Sequence, residues 1–394
     1  MTTAVIVDAI RTPLGRRNGK LKDWHPVDLA AETLAALQQR TGIDPGLVDD
    51  VVMDCVMQVG EQAFNVARNA VLAAGWPTGV PGTTIDRQCG SSQQAAHFAA
   101  QGVMAGAYDI VVAAGVEVMT RVPMGSAMAD GKYGFPFGPA VGARYAPAGG
   151  LVPQGISAEL IADKWGLTRD DMDAFGVRSQ QYAARATAEG RFQAEILPVL
   201  DTEGRLMTTD EGIRESTFEK LSSLKPSFIE AEKGGKVTAG NSSQITDGAS
   251  ALLIMSEEKA KALGLKPRAR FVNFSLAGAD PRMFTCRAER DGDRPSHERY
   301  QTDRYGAARR GIELAHHPPQ VVEGEVRPLA EPDDEGGTGG EVVTDRHEHG
   351  LTGLALEQTV VWQYDSRPAT RFKGRQDMLD EVELLVAGLD GEVV

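Results

Sequence analysis

Of the three cysteines in this 394-residue chain, Cys89 has the neighbours that covalent chemistry needs. It lies in T-T-I-D-R-Q-C-G-S-S-Q-Q-A-A, residues 83–96. A short strand is expected over 83–86 and an alanine-rich helix over 91–105. The sulfur therefore stands at a strand-to-helix junction. There the open N–H groups and positive end of the helix favour thiolate over thiol, and a thiolate at neutral pH is a strong nucleophile. Gly90 lets the backbone come close to a substrate carbonyl. Ser91, Ser92, Ala95 and Ala96 are small and let the helix bury deeply. A cysteine taken alone is more often core packing; the strand–Cys-Gly–helix context argues against that here.

The elements around it alternate. Strands are expected over 4–9, 51–57 and 109–116, helices over 27–39 and 64–74, the latter ending at Gly75-Trp76-Pro77. Buried strands separated by helices indicate an α/β domain. From about 119 to 240 the character changes. Residues 131–155 are rich in Gly, Pro and aromatics and read as loop, followed by helices over 157–164 and 168–189. The second helix opens on Thr168, Asp170 and Asp171, which suit a helix start. A strand and a charged helix over 247–263 and a strand over 269–275 follow. Cys55 reads as a core residue in mid-strand, His25 as a loop or cap residue, His97 as a packed helix histidine, and Arg11 and Arg16 as ion-pair partners.

The formal charge of −14 argues against nucleic acid or an anionic membrane as the main partner. No apolar run reaches membrane-spanning length, the first residues lack the pattern of a secretory leader, and three cysteines make no disulfide framework. A cytoplasmic location is expected. Beyond Cys286 the composition shifts: residues 287–394 hold twelve arginines, one lysine and five of the seven histidines. Only 351–364 and 376–389 look able to form elements there, and the rest is expected to be irregular. His347 and His349 lack the companion ligands of a metal site, and no metal is expected.

Several separate motifs, in order, resemble the thiolase family over roughly the first 285 residues. A-I-R-T-P-L-G-R-R-N-G at 9–19 is similar to its N-terminal signature, D-R-Q-C-G-S-S-Q-Q-A at 86–95 to its nucleophile motif, and A-G-V-E-V-M-T-R-V-P at 114–123 to its glycine–glutamate–methionine segment. G-R-F-Q-A-E-I-L-P at 190–198 and L-K-P at 224–226 resemble landmarks of its inserted domain. V-T-A-G-N-S-S-Q-I-T-D-G-A-S-A at 237–251 resembles the turn beside its coenzyme A arm.

The resemblance implies a thiolase-like α-β-α-β-α layered fold. Residues 1–118 plus 241–268 would form its N-terminal domain, 119–240 an inserted loop domain on the coenzyme A side, and 269–286 the start of an incomplete or atypical second domain. The implied reaction is thiolytic cleavage of a 3-ketoacyl-CoA to acyl-CoA plus acetyl-CoA, or the reverse condensation, as in fatty acid β-oxidation. Cys89 would carry the acyl group, with the backbone at Cys89 and Gly90 at an oxyanion hole. Ser243 would contact pantetheine, Gly240 and Asn241 would shape that turn, and Lys225 would meet a phosphate of coenzyme A. Coenzyme A is a substrate here, not a permanently bound cofactor, and a homodimer or homotetramer is implied. Q-G-I-S-A at 154–158 stands where short-chain biosynthetic members carry a His-Met-Gly, and the departure at Pro153-Gln154 points to acyl groups other than acetoacetyl.

The family's C-terminal motifs (Asn-Glu-Ala-Phe, Gly-His-Pro and Cys-x-Gly) do not occur in residues 286–394. The nearest histidines are His316 and His317 in A-H-H-P-P-Q, without the flanking glycines. The break at Cys286-Arg287 is abrupt, as a frameshift, a fusion or a recombination event would make it. The alternative function is therefore a thiolase-like acyl-CoA-binding or relic protein that lacks the base and the second cysteine.

Overall fold

The computed structural model describes residues 2–274, 276, 280–283, 312–315 and 326–329, the last two ranges as backbone strands. β1 (Ala4–Arg11) is buried along its whole length, and β2 (Gly15–Arg16) follows the R-T-P-L-G turn. α1 (Pro26–Thr41) begins on Pro26, whose fixed φ suits a first helical position, and His25 caps it by accepting from the Val27 N–H. Gly42 closes it in the left-handed region at φ 68°, where a side chain would be strained. β3 (Asp50–Asp54), α2 (Val66–Ala73), β4 (Thr83–Ile85), α3 (Ser91–Met104) and β5 (Ile110–Val118) then alternate as the sequence pattern implies.

The inserted segment carries α4 (Pro139–Tyr145), α5 (Gln154–Trp165), α6 (Arg169–Ala188), a ribbon of β6 (Val199–Leu200) with β7 (Leu206–Met207), and α7 (Phe218–Ser222). α4 departs from the expected loop over 131–155; Pro139 at its start overrides the glycine-rich composition around it. α6 has a capping box, with Thr168 and Asp171 satisfying each other's backbone N–H. β8 (Thr246–Ser256), α8 (Glu257–Ala262) and β9 (Ala269–Phe271) return to the main body. β10 (Ile312–Ala315) and β11 (Val326–Leu329) complete the described elements.

One mixed sheet runs β11-β10-β9-β1-β8-β5-β3-β4, with β2 alongside β8. β3 is parallel to both β4 and β5, while β8 is antiparallel to its neighbours β1 and β5. Two apolar clusters sandwich this sheet. On one face Leu29, Leu34 and Leu37 of α1 and Val66, Ala70 and Val71 of α2 pack on Ile10, Val112 and Leu253. On the other, the alanine face of α3 (Ala95, Ala96, Ala99, Ala100) meets Val52, Val111, Leu252 and Ile254. Alanines let that helix lie close to the strands, so the removal of apolar surface from water holds it there with little side-chain entropy lost. The described residues thus build helix–sheet–helix, three of the five expected layers.

Three sequence expectations change. β3 ends at Asp54, so Cys55 lies just past the strand, although it is fully buried. β9 joins β1 in the first sheet (Val5↔Arg270, Ile6↔Ala269), where a second domain was expected to open. β10 and β11 fall in the stretch expected to be irregular, and β10 pairs with β9. Four-residue runs are too short to show an alternating pattern, and Pro328 argues against a central strand; β11 is the last strand of the described order, the position that tolerates proline. Residues 351–364 and 376–389 lie outside the described residues. Among the described residues no helix is long and apolar enough to cross a membrane.

Candidate active site

The parallel strands β3, β4 and β5 end on one side of the sheet, and Cys89 stands there. In open α/β sheets the carboxyl ends of the strands form the binding crevice, because the following helices turn away from them. β4 runs out at Ile85, and Asp86 turns the chain by accepting the Gln88 N–H at 2.6 Å. Gln88 is held in the left-handed region at φ 48°, an unfavourable conformation for a residue with a side chain. Ser91 locks the bend: its hydroxyl donates to the Gln88 carbonyl at 2.5 Å and accepts the Arg87 N–H at 2.6 Å. Cys89 is lifted to the surface on this elbow and is exposed.

Gly90 is the N-cap of α3 at φ −97°. A Cβ there would have only the Arg87 carbonyl within 4 Å, at 3.6 Å, so the approach over Gly90 is open. Its N–H, however, bonds the Arg87 carbonyl at 3.1 Å, and the Ser91 N–H bonds the Gln88 carbonyl at 3.0 Å. The Gly90 backbone therefore provides space at the site and not the oxyanion donor that the sequence suggested. His97 sits two turns along α3, edge-to-face with Phe274 at 5.2 Å between ring centres. Burial, with the charge of Arg87 adding to it, lowers its pKa to about 4. It is the packed helix histidine that the sequence implied.

A buried polar cluster closes the end of β5. Glu117 is almost fully buried; its carboxylate accepts the Val56 N–H at 2.9 Å and the Gln62 amide at 2.5 Å. Gln62 also donates to the Met57 carbonyl and accepts the Val118 N–H at 2.9 Å. Cys55 packs into the same cluster. Sequence reading missed it. The one signal was a carboxylate, Glu117, inside an otherwise apolar strand. Arg11, expected in an ion pair, anchors the inserted segment to β1. Its guanidinium meets Glu195 at 2.7 Å and Asp210 at 2.7 and 3.0 Å. Burial works to lower its pKa, and the two carboxylates reverse that and raise it. Arg16 pairs with Glu211 at 3.2 Å.

The residues proposed for coenzyme A gather on one turn. β8 is antiparallel to β5, so its first residues, and the turn before them, lie at the same end of the sheet as Cys89. Glu159 of α5 accepts the Lys236 and Val237 N–H groups at 2.8–3.0 Å. Asn241 donates to Asp173 of α6 at 2.9 Å and accepts the Thr238 N–H at 2.7 Å. Its side chain is thus committed to shaping the turn. Gly240 admits no side chain, since a Cβ would lie 2.8 Å from Leu221 and Leu224. That packing, with the Pro226↔Thr238 bridge, sets Lys225 beside the turn. Lys225 and Ser243 are both exposed. Glu159 and Asp173 carried no sequence signal; they are buried acids at 2% and 0% exposure. His316 and His317 lie outside the described residues, as do His347 and His349. Among the described residues no group of three metal-ligating side chains forms.

The family model for the thiolase N-terminal domain matches residues 4–258. The chain belongs to the thiolase family. It is 46% identical over 284 residues to a steroid 3-ketoacyl-CoA thiolase of Mycobacterium tuberculosis, covering 71% of this chain and 69% of that protein. It is 46% identical over 291 residues to a 3-ketoacyl-CoA thiolase of Pseudoalteromonas translucida, covering 72% of each. Among solved structures it is similar to the acetyl-CoA acetyltransferase of Bacillus anthracis, with a TM-score of 0.63 and 37% identity over 72% of this chain and 73% of that one. The fold is the α/β fold of this family, and the protein is an acyltransferase of thiolase type. These relatives favour the enzyme over the binding or relic protein.

Proposed function

We propose that this thiolase cleaves 3-ketoacyl-CoA substrates through an acyl-Cys89 intermediate. The observation that carries the reading is the exposed Cys89 on a strained elbow at the start of α3, at the carboxyl end of three parallel strands. The Cys89 thiolate attacks the 3-keto carbon, and the Cys89 N–H stabilises the oxyanion that forms. The bond between C2 and C3 breaks, the acyl group stays on sulfur, and the C2 carbanion takes a proton to leave as acetyl-CoA. The thiol of a second coenzyme A then gives up its proton to solvent, takes the acyl group and restores the thiolate. Ser243 and Lys225 hold the coenzyme A arm, and Gly240 and Asn241 shape the turn that presents it. Thiolysis of a 3-ketoacyl-CoA, followed at the enolate absorbance, tests the reading. Turnover is expected from the unsubstituted chain and none from Cys89→Ser, with an acyl adduct on Cys89 by mass spectrometry when coenzyme A is withheld. Turnover that survives Cys89→Ser overturns the assignment.

The same reading takes the protein to the cytosol and to a homodimer or homotetramer. β4 ends the described strand order, and Phe64, whose neighbour Asn65 bonds Gly82 and Thr84 at that strand, is 94% exposed while held at φ 55°. A fixed, exposed phenylalanine beside the outermost described strand suits a two-fold contact with a second copy. Residues 1–118 with 241–268 form the catalytic body in this reading, and 119–240 the cover over coenzyme A.

A further inference from the structure

We infer that Asp54 is a positioning residue for Cys89, acting through Ser92 on the first turn of α3; this rests on the role of Cys89 proposed above. Asp54 is the last residue of β3 and is 0% exposed. The Ser92 hydroxyl, itself buried, donates to Asp54 Oδ2 at 2.6 Å across 38 positions of sequence. Gly115 of β5 pairs with Asp54 in register and leaves the room for this bond. A Cβ at position 115 would lie 2.4 Å from Ser92 Oγ and 3.2 Å from Asp54 Cβ. Strand, helix and glycine therefore converge on one O–H···O contact beneath the elbow.

The two adjacent serines divide the task. Ser91 ties the elbow to the helix through Gln88 and Arg87, and Ser92 ties the helix to the sheet through Asp54. Apolar alanines farther along α3 hold the helix against the sheet, but apolar packing is non-directional and permits sliding. A short hydrogen bond fixes rotation and rise, the two displacements that would move the sulfur. The left-handed Gln88 persists only where its surroundings over-determine it, and this bond supplies one of the constraints.

The test uses Asp54→Ala, Asp54→Asn, Ser92→Ala and the double variant Asp54→Ala/Ser92→Ala in the full chain. A displacement of the nucleophile by about 1 Å lowers kcat about 100-fold. That loss is expected for Asp54→Ala and Ser92→Ala, with KM for the 3-ketoacyl-CoA within about twofold, since substrate contacts are untouched. Asp54→Asn keeps an acceptor oxygen and is expected to recover about tenfold of the loss. The double variant is expected to lose no more than either single one, because both remove the same contact. The inference is overturned if Ser92→Ala keeps kcat within about twofold, if KM rises at constant kcat, or if the two losses multiply. Should Asp54→Ala fail to fold, Ser92→Ala and Asp54→Asn decide by the same criteria. Alkylation of Cys89 by iodoacetamide needs no turnover. If the unsubstituted chain shows no thiolysis, the proposed reaction falls, and the positioning role stands or falls on whether Ser92→Ala slows this alkylation about fivefold or leaves it unchanged.

Discussion

Acid should destabilise this protein through His97, and the size of the effect follows from its surroundings. The imidazole is packed against Phe274 on the helix that carries Cys89. Burial first, and the charge of Arg87 second, bring its pKa from 6.5 to about 4. In the unfolded chain the ordinary value applies, so between pH 6.5 and 4 the unfolded state takes up a proton that the folded state refuses. Stability must then rise with pH across that window. The contribution is fully present above pH 6.5 and is lost as the pH falls through 4. A shift of this size corresponds to roughly 3 to 4 kcal/mol in full, at about 1.4 kcal/mol per unit, of which about 3 kcal/mol has accumulated by pH 4. Carboxylates titrate in the same range, so the measurement is a difference between two proteins. Urea unfolding of the unsubstituted chain and of His97→Leu, followed by tryptophan fluorescence between pH 7 and pH 4, gives it. His97→Leu should gain on the unsubstituted chain by up to about 3 kcal/mol as the pH falls. If the two stability curves stay parallel, the imidazole is not held neutral by burial and the reasoning is wrong.

Gln88→Gly removes a left-handed side chain from the elbow, so thermal unfolding should show a gain of about 1 kcal/mol while kcat falls; a loss of stability would mean that the Gln88 amide contacts with Asp86 outweigh the strain. Asn241→Ala frees the turn before β8 from Asp173, and KM for coenzyme A should rise about tenfold with kcat little changed, as measured by initial rates at saturating 3-ketoacyl-CoA; an unchanged KM would detach that turn from coenzyme A. Phe64→Asp should lower the sedimentation coefficient toward that of a monomer and shift unfolding free energy by less than about 0.5 kcal/mol, because the ring is 94% exposed in the single chain. A coefficient that does not move would place the contact between copies elsewhere.

Much of the fold was legible in the sequence because its signals are local. Alternating apolar runs gave β1, β3, β5 and β8, and Thr168 with Asp171 marked the start of α6. Cys89 was legible for the same reason: the strand, the Cys-Gly pair and the alanine-rich helix are contiguous. What escaped notice joins residues far apart in the chain. Glu117 meets Gln62 across 55 positions, and Asn241 meets Asp173 across 68. No pattern of period two or 3.6 reports such pairs, because the two partners lie on separate elements. The engaged Gly90 N–H is a third case: it depends on the left-handed turn at Gln88, and glutamine does not announce positive φ. β10 and β11 escaped because their four residues are too few to carry a period.

The place of β8 between β1 and β5 bears on how the chain is made. Residues 1–118 leave the ribosome with β1 on one side and the parallel trio β4-β3-β5 on the other, and no strand joins them. β8 is the seam, and it is synthesised only after the inserted segment is complete, since its first residue is Thr246. Until then β1 is unpaired on both sides and β5 on one, beside apolar faces that α1, α2 and α3 only partly cover. Such edges pair readily with other chains. At about 5–20 residues per second, the 127 residues from the end of β5 to the start of β8 keep those edges unpaired for roughly 6–25 s. The strand that joins the two halves of the sheet is thus made after both of them, and yield in a cell should depend on chaperone capacity during that interval.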